Sequence, residues 1–360
     1  MECNEPGGES GCRRGRCRVI VEAIQAMVEG HALSIDQAAA AMADVMEDRA
    51  TPAQFGAFVT ALRMKGETAD EVAGMARTMR EKVRRVPTDL PVVDTCGTGG
   101  DGSGSFNVST AAAFIVAGAG VPVAKHGNRG MTSKSGSADV LEALGVAIIL
   151  EPDAVAKCIE AAGIGFMFAP AFHPAMRFAA PLRREIGIRT IFNILGPLTN
   201  PAGATRQVVG VPADRYLPIV AGAFARLGSV RSLVVHGAGG LDEISLSGAT
   251  TVHDVAPGAH ETYEVQPEDA GVGRHPEGAI SGGSADENAQ MMRALFAGTD
   301  TGPGADARRD ISCLNAAAAL VAAGAATNLA DGGRQARESL QSGAALASLE
   351  ALIRVSQAVA

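Results

Sequence analysis

The stretch DTCGTGGDGSGSFNVST, residues 94–110, combines many glycines with acidic, amide and hydroxyl side chains. A G-x-G-x-x-G spacing begins at Gly97, shortly after the apolar run Pro91–Val93. A glycine-rich loop that follows a strand exposes backbone N–H groups, and these groups bind phosphate oxygens. Three polar residues then stand where a helix should begin: Asn107, Ser109 and Thr110. The stretch therefore predicts an anion-binding loop.

Two features argue against the dinucleotide site that the same spacing often marks, and a third argues against a nucleoside-triphosphate loop. Such a fold needs an acidic residue at the end of the second strand, where this chain has Lys125 and His126. The helix also begins late, near Ser109, and no G-K-[ST] of a nucleoside-triphosphate loop is present. Glycines that serve only tight turns would not call for Asp101 and Lys125 nearby. A bulky polyphosphate fits better.

A second loop, KHGNRGMTSKSGSAD (residues 125–139), follows the next predicted strand and is also rich in hydrogen-bond donors. Its candidates are His126, Asn128, Arg129, Thr132, Ser133 and Ser137. Ser137 precedes an apolar helical pattern, so it could simply cap that helix, although capping and phosphate binding use the same geometry. Two donor-rich loops after adjacent strands favour one shared anion site.

Adjacent carboxylates occur in HGAGGLDEISLSG (residues 236–248), where Asp242 and Glu243 follow a further predicted strand. Carboxylate oxygens near a polyphosphate suit Mg²⁺, which keeps water and substrate oxygens as its other ligands. An Asp-Glu pair is more often solvated surface. Its position after a sheet strand keeps both interpretations open.

A fourth segment, HPAMRFAAPLRREIG (residues 173–187), carries His173 and the arginines Arg177, Arg183 and Arg184. An arginine that faces a cleft can bind a carboxylate with two parallel hydrogen bonds. Surface arginines on helices usually have no special role, so the residues alone leave this question open.

The elements that must position these residues change character along the chain. Residues 18–85 read as helices, with Ile20, Ile24, Met27 and Val28 at helical spacing. Three capping boxes mark helix starts: Ser34 with Gln37, Thr51 with Gln54, and Thr68 with Glu71. Short apolar runs then alternate with helical patterns: VVDTCG, VPVAKHG, VAIILEP, QVVGV and SLVVHG. This alternation predicts a mostly parallel sheet with ligands at the carboxyl ends of its strands.

The predicted fold class is therefore α/β, with a small all-helical domain and a large α/β domain built on a central, mostly parallel sheet. A flexible tail occupies residues 1–17 and the helical domain residues 18–88. Helices from about 172–200 return to that domain. Residues 89–171 and 201–360 form the large domain.

Composition narrows the function classes. The 360 residues are 47% hydrophobic and 19% charged, which is typical of a compact globular protein. A net charge of −8, 4% aromatic residues and no Trp argue against a nucleic-acid surface. The six cysteines include no C-x-x-C pair, and a zinc site among Cys3, Cys12 and Cys17 would need a fourth ligand that is not nearby. We find neither a signal peptide nor an apolar run of about 18 residues. We expect reduced thiols, no membrane partner and a cytoplasmic protein.

The motifs together resemble one family from about residue 18 onward. They are GTGGDG (97–102), FNVST (106–110), AKHGNR (124–129), SGSADVLEALG (135–145), HPAM (173–176), RTIFNILGPLTNP (189–201) and GLDEISLSG (240–248). They resemble the anthranilate phosphoribosyltransferases, which transfer the phosphoribosyl group of phosphoribosyl pyrophosphate (PRPP) to anthranilate in tryptophan biosynthesis. The resemblance implies a nucleoside phosphorylase-like fold and a homodimer formed through the helical domains.

The resemblance also implies roles for individual residues. The implied PRPP contacts are Gly97, Gly100, Asp101, Ser105, Asn107, Ser109, Thr110, Lys125, Ser133 and Ser137. The implied anthranilate contacts are Gly97, Asn128 and Arg183, with His126 and His173 lining the cleft. The implied ligands of two Mg²⁺ ions are Ser109, Asp242 and Glu243. The chain departs from many relatives in having Thr132-Ser133 where they have two serines, which keeps a hydroxyl.

Displacement of pyrophosphate builds positive charge on the ribose and negative charge on the leaving group. Mg²⁺ and loop N–H groups would stabilise the negative charge, and the residues contain no nucleophile–base arrangement that predicts a covalent intermediate. Two rivals remain at this point: a nucleoside phosphorylase on the same fold, and a non-catalytic relative that binds nucleic acid. The KHGNR loop argues against the first rival, and the net charge argues against the second.

Overall fold

The computed structural model describes residues 18–130 and 134–360, which form two compact units. The helical unit contains residues 18–83 and His173–Leu195. The sheet unit contains the described residues of Arg84–Phe172 and Gly196–Ala360. The divisions lie one to five residues from the predicted limits of 88, 172 and 200.

The helices and strands are named here in chain order. They are α1 (Arg18–Val28), α2 (Ile35–Met46), α3 (Pro52–Lys65), α4 (Ala69–Lys82), β1 (Val93–Gly97), α5 (Val108–Gly118), β2 (Val123–Gly127), α6 (Ser137–Ala143), α7 (Pro152–Ala162), β3 (Ile164–Phe168), α8 (Ala169–Phe172), α9 (Met176–Ile186), α10 (Phe192–Leu195), β4 (Arg206–Gly210), α11 (Leu217–Arg226), β5 (Arg231–Gly237), β6 (Thr250–Ala256), β7 (Ala259–Val265), α12 (Ala285–Phe296), α13 (Ala305–Ala323), α14 (Leu329–Gln341) and α15 (Ala344–Val359).

The helical unit forms where its capping signals indicate. Helices α2, α3 and α4 each begin after a complete capping box, so the three predicted starts are confirmed. The core of the unit includes Phe55, Phe58 and Leu62, which are fully buried. The centre of the Phe55 ring lies 5.8 Å from that of Phe192. Val28 has the same helical spacing as Ile20, Ile24 and Met27, but it is 69% exposed.

The sheet unit is built on seven strands in the order β3-β2-β1-β4-β5-β6-β7. Strands β1 to β5 are parallel, and β6 and β7 form an antiparallel hairpin at one edge. The predicted fold class is confirmed. Helix α5 (VSTAAAFIVAG) packs against β1 and against α13 and α15, which explains why it is apolar on nearly every face.

One predicted strand is wrong. VAIILEP, residues 146–152, forms no strand, although Val146, Ile148 and Leu150 are buried. A strand needs a hydrogen-bonding neighbour, and the edge beside β2 is taken by β3 instead. The sequence reading also missed the β6–β7 hairpin.

Two findings bear on the environment of the described chain. None of its helices is both long and apolar enough to cross a bilayer. Cys96, Cys158 and Cys313 are free thiols there, whereas Cys3, Cys12 and Cys17 lie outside the described residues.

Candidate active site

The site begins at the point where the order of the strands reverses. From β1 the chain continues to β2 and β3 on one side, and it later returns to β4 on the other side of β1. The carboxyl ends of β1 and β4 meet there, with Gly97 paired in register with Gly210. In parallel α/β sheets such a reversal opens the crevice in which ligands bind.

Asp242 occupies the space that side chains would need at Gly97 and Gly210. A Cβ atom at Gly97 would lie 2.2 Å from Asp242 Oδ2, and one at Gly210 would lie 1.7 Å from the Asp242 carbonyl oxygen. Any side chain at either position would therefore displace the loop that carries Asp242. The Asp242 Oδ2 atom also accepts the N–H of Gly99, at 2.6 Å, which ties the acid to the glycine loop.

Glu243 reaches the first turn of helix α5. Its Oε1 accepts the backbone N–H of Ser109 at 3.1 Å. Burial raises the pKa of Asp242 and of Glu243, and each is raised further by a neighbouring carboxylate: Asp101 for Asp242, and chiefly Asp242 for Glu243. The site therefore concentrates acidic groups away from water.

Asp101 adds a third acid at this place. Its Oδ1 accepts the N–H of Ser103 at 3.3 Å, whereas its Oδ2 is buried and has no hydrogen-bond partner in the described chain. A buried carboxylate oxygen without a donor is costly unless a cation or a ligand satisfies it.

Lys125, the middle residue of β2, supplies positive charge to the same place. It is 1% exposed, and its Nζ donates to the carbonyl oxygen of Thr95 at 2.6 Å and approaches Ser109 Oγ at 3.4 Å. The ammonium opposes the rise in the Glu243 pKa. Lys125 thus contacts β1 and the first turn of α5, the two elements that the glycine loop connects.

The glycine loop needs its glycines for their backbone conformation. Gly99, Gly100, Gly102 and Gly104 all have positive φ, between 61° and 78°. Residues with side chains rarely adopt this backbone conformation. The glycines therefore let the loop cover the end of β1 with backbone alone. Ser105 then leaves the loop in an isolated antiparallel bridge with Ser281.

Two polar residues complete the start of α5. Asn107 occupies the N-cap position, but its side chain does not cap the helix; its Nδ2 donates to the Ser135 carbonyl oxygen at 3.3 Å. Thr110 is 1% exposed in the first turn. The Asn107 amide is thereby directed from the first loop to the second.

The second loop is organised by its own ion pairs. Arg129 donates to Asp139 and Glu142, so its guanidinium serves the loop itself. Asp139 Oδ2 accepts the N–H groups of Gly130 and Gly136, both at 2.9 Å. Asn128 is exposed, while Thr132 and Ser133 lie outside the described residues.

Ser137 is not the helix cap, contrary to the simpler reading of the sequence. Gly136 holds the N-cap position and Ser137 is the first residue of α6. The Ser137 hydroxyl instead donates to the Asn128 carbonyl oxygen at 3.4 Å, and a Cβ atom at Gly127 would lie 2.1 Å from it. The hydroxyl therefore lies at the end of β2.

A buried network behind the site was missed at the sequence level. Asp94 accepts the backbone N–H of His126 at 3.3 Å and the Nδ2 of Asn200 at 2.8 Å. Burial raises the pKa of Asp94 to about 6, against the opposing effects of Lys125 and Asn200. Asn200 lies in RTIFNILGPLTNP, so the motif marked the place but not the contact.

The remaining candidates belong to the helical unit. Arg183 lies on α9 with its guanidinium 5.1 Å from the centre of the Phe192 ring, and desolvation lowers its pKa. It makes no ion pair with any residue of the described ranges. His173 is buried, which lowers its pKa to about 4, so this imidazole is neutral at pH 7.

The acidic residues fit an open magnesium site rather than a closed one. Across residues 18–130 and 134–360, no group of three or more His, Cys, Asp and Glu side chains is arranged to hold a metal ion alone. Mg²⁺ typically takes one or two carboxylates and completes its shell with water and phosphate oxygens. The unpartnered Asp101 oxygen and the raised pKa values of Asp242 and Glu243 are what such a site would show without its cation.

Comparison with known proteins identifies relatives of both units. A model described as the glycosyl transferase family a/b domain matches residues 89–346, and one described as the helical bundle domain of that family matches residues 21–83. An anthranilate phosphoribosyltransferase from Roseiflexus sp. (strain RS-1) is 57% identical over 332 residues, covering 92% of this chain and 96% of the relative.

Solved structures agree. The anthranilate phosphoribosyltransferase of Thermus thermophilus superposes with a TM-score of 0.87 at 44% identity, covering 93% of this chain and 99% of that one. The Saccharomyces cerevisiae enzyme in complex with PRPP and Mg gives 0.85 at 29% identity, covering 95% and 98%.

Proposed function

The chain belongs to the anthranilate phosphoribosyltransferase family, and we propose that the residues around the ends of β1 and β4 carry out the family reaction. The enzyme transfers the 5-phosphoribosyl group of PRPP to the amino group of anthranilate and releases pyrophosphate, as a step of tryptophan biosynthesis. The observation that carries the assignment of residues is the seating of Asp242 over Gly97 and Gly210, beside the glycine loop.

The phosphate groups of PRPP would lie against the glycine loop and the first turn of α5. The backbone N–H groups of the positive-φ glycines and of the helix N-terminus are hydrogen-bond donors for anionic oxygens. These contacts need no separate cation. The proposed contacts are those that the resemblance implied: Gly97, Gly100, Asp101, Ser105, Asn107, Ser109, Thr110, Lys125, Ser133 and Ser137. All but Ser133 are described, and the nine described contacts lie in the sheet unit.

Magnesium is the proposed cofactor, because a yeast relative binds Mg together with PRPP and the acids here fit the ion. Ser109, Asp242 and Glu243 would hold it, with two ions sharing Glu243, and Asp101 has a further oxygen to offer. Bound Mg²⁺ would neutralise pyrophosphate oxygens as charge develops on the leaving group. Burial favours the protonated form of both carboxyls, and a bound cation would favour the ionised form.

Anthranilate would be held through its carboxylate. Arg183 is half-buried and has no ion pair among the described residues, and a guanidinium binds a carboxylate with two parallel hydrogen bonds. Asn128 and Gly97 are the other proposed contacts, with His126 and His173 as lining.

The chemistry needs little proton transfer from the protein. An aromatic amine attacks with its neutral lone pair, so the main demand is to stabilise the departing pyrophosphate and to align the two substrates. Lys125 and the loop N–H groups face the developing negative charge, while Arg183 orients the acceptor. The named relatives are transferases, so neither rival function has an observation in its favour.

Assembly and compartment are further proposals. The helical unit exposes Val21, Val28 and Met64, at 47%, 69% and 83%, and such apolar exposure favours a homodimer through this unit. The three free thiols of the described chain favour the reducing cytoplasm. Sedimentation of the purified protein at several concentrations tests the dimer, which a monomer at all of them would rule out.

Anthranilate fluorescence tests the reaction. Purified protein with PRPP, anthranilate and Mg²⁺ should consume the fluorophore and release an equal amount of pyrophosphate, and omission of any component should stop both. Persistence of the signal in the complete mixture would refute the proposed activity. Release of pyrophosphate without loss of anthranilate would point to another acceptor.

A further inference from the structure

A chain of side-chain amides connects helix α12 to both phosphate loops. Asn288 on α12 is 1% exposed, and its Oδ1 accepts the N–H of Gly283 at 2.7 Å. Its Nδ2 donates to Asn107 Oδ1 at 2.8 Å. Asn107 Nδ2 in turn donates to the carbonyl oxygen of Ser135 at 3.3 Å. Three separate segments of the sheet unit meet in this chain.

The direction of the chain is set at both ends by the backbone. The Gly283 N–H can only donate and the Ser135 carbonyl can only accept, whereas each asparagine amide has one accepting and one donating end. If either amide turned over, an oxygen would face an oxygen or an N–H would face an N–H. The network therefore admits only one orientation of Asn107, with its NH₂ group toward the second loop.

The backbone around Asn288 is held tightly against the glycine loop. Phe106 donates its N–H to the Ile280 carbonyl at 2.8 Å, and Gly282 donates to the Gly104 carbonyl at 2.9 Å. A Cβ atom at Gly282 would lie 2.7 Å from the Ser105 carbonyl oxygen, so this close approach requires glycine. The segment before α12 thus fixes the end of the loop at which Asn107 lies.

We propose that Asn288 is a positioning residue for PRPP: it orients the Asn107 amide so that NH₂, rather than oxygen, is presented to the phosphate groups. One N–H of Asn107 is used by Ser135, and the other remains for an anionic oxygen. The inference rests on the proposed function, because it takes Asn107 to be a PRPP contact. It adds a residue that no motif of the sequence marked, 181 positions away along the chain.

A double-mutant cycle tests the dependence on Asn107. Asn107→Ala and Asn288→Ala should each raise the KM for PRPP by about tenfold, the value of one hydrogen bond to a charged group. The KM for anthranilate should change by less than about twofold. Because Asn288 acts through Asn107, the double variant should be no worse than either single variant within about twofold.

A charge-matched pair separates orientation from loss of packing. Asn288→Asp keeps the shape but cannot donate to Asn107, so the KM for PRPP should rise at least as much as in Asn288→Ala. Asn328→Asp makes the same chemical change at the exposed N-cap of α14, where aspartate caps equally well, and should leave both KM values unchanged. Thermal unfolding of each variant establishes that it is folded at the assay temperature.

The outcomes distinguish this inference from the proposed function. No turnover of PRPP and anthranilate by the wild-type protein would overturn the proposed function itself. In an active wild-type enzyme, additive effects of the two alanine substitutions, or equal rises in both KM values, would overturn the role of Asn288 alone. Normal KM values in Asn107→Ala would overturn the placement of Asn107 and the inference together.

Discussion

Acidic residues lie near both ends of strand β5, but they differ in whether the protein supplies a charged partner. At its beginning, Arg231 donates to both oxygens of Asp254, at 3.2 and 2.8 Å, and the pair raises the pKa of the guanidinium. Beyond its other end, Asp242 is buried and Glu243 is half-buried, neither is paired with a guanidinium, and desolvation raises the pKa of both. The protein itself supplies a counter-charge for Asp254, whereas Asp242 and Glu243 have no arginine partner, as the proposed cation site requires.

Arginines show the same contrast. Arg231 has its carboxylate partner within the sheet unit, and its pKa is raised. Arg183 in the helical unit is desolvated against Phe192, without an ion pair among the described residues, and its pKa is lowered. Arg183 and Asp242, which are desolvated and have no ion pair among the described residues, are thus among the residues assigned to a substrate and to the metal.

The largest expected effect is on turnover at the unmatched end. Glu243→Gln should lower kcat on the order of a hundredfold, because it removes a charge that supports the leaving group. Glu160→Gln, an exposed acid on α7, is the matched control and should retain full activity. The kcat values are measured by pyrophosphate release at saturating substrates. Comparable values for the two variants would mean that Glu243 is no more important for turnover than an ordinary exposed acid.

Arg183 should show the next largest effect. Arg183→Ala should raise the KM for anthranilate at least about tenfold through loss of a charge-assisted contact, with little change in the KM for PRPP. Arg184→Ala, the exposed neighbour on α9, serves as the control. Steady-state kinetics with each substrate varied in turn decides the matter, and an equal loss for both substrates would contradict the assignment.

Neutralising an acid near either end of β5 should change the free energy of unfolding in opposite directions. Asp254→Asn should lower the free energy of unfolding by about 1 kcal/mol, because it weakens a part-buried pair, and should leave turnover intact. Asp242→Asn without Mg²⁺ should be at least as stable as the wild type, since it removes the penalty of burying a carboxylate. Urea unfolding in EDTA measures both. A larger loss in Asp242→Asn would mean that this acid is already compensated.

The smallest expected effect is that of the metal alone. Mg²⁺ added to the substrate-free protein should raise its Tm by a few degrees, since a ligand of the native state stabilises it. The shift should disappear in Asp242→Asn and persist in Asp254→Asn. An equal shift in all three proteins, followed by differential scanning fluorimetry, would show that the ion binds elsewhere.

Local signals in the sequence predicted local structure well. The capping boxes at Ser34, Thr51 and Thr68 depend on residues only three positions apart, and all three form. The stretch 146–152 shows the limit of such signals, because its apolar pattern is that of a strand and no neighbouring strand pairs with it. Hydrogen bonding between strands is decided by the rest of the sheet.

The candidate site divides in the same way. The glycine loop, Lys125 and the Asp242-Glu243 pair were predicted because each lies in a short segment with its own chemical pattern. Asp94, Asn200 and Asn288 were missed, since a single buried aspartate or asparagine has no distinguishing neighbours in sequence. Ser137 was assigned a possible capping role that Gly136 takes, because helix starts are uncertain by a residue.

By itself, the sequence determined the helices between residues 18 and 85, the α/β class, the loops proposed to bind phosphate and the acids proposed to hold a cation. These follow from residue type and short-range spacing, which need no knowledge of distant partners. Only the tertiary structure decided that Gly97 and Gly210 leave room for Asp242, that β3 rather than residues 146–152 extends the sheet, and that Asn288 orients Asn107. The Gly97–Asp242 and Asn107–Asn288 contacts join segments more than a hundred residues apart, and only the packing and hydrogen bonding of the folded chain select them.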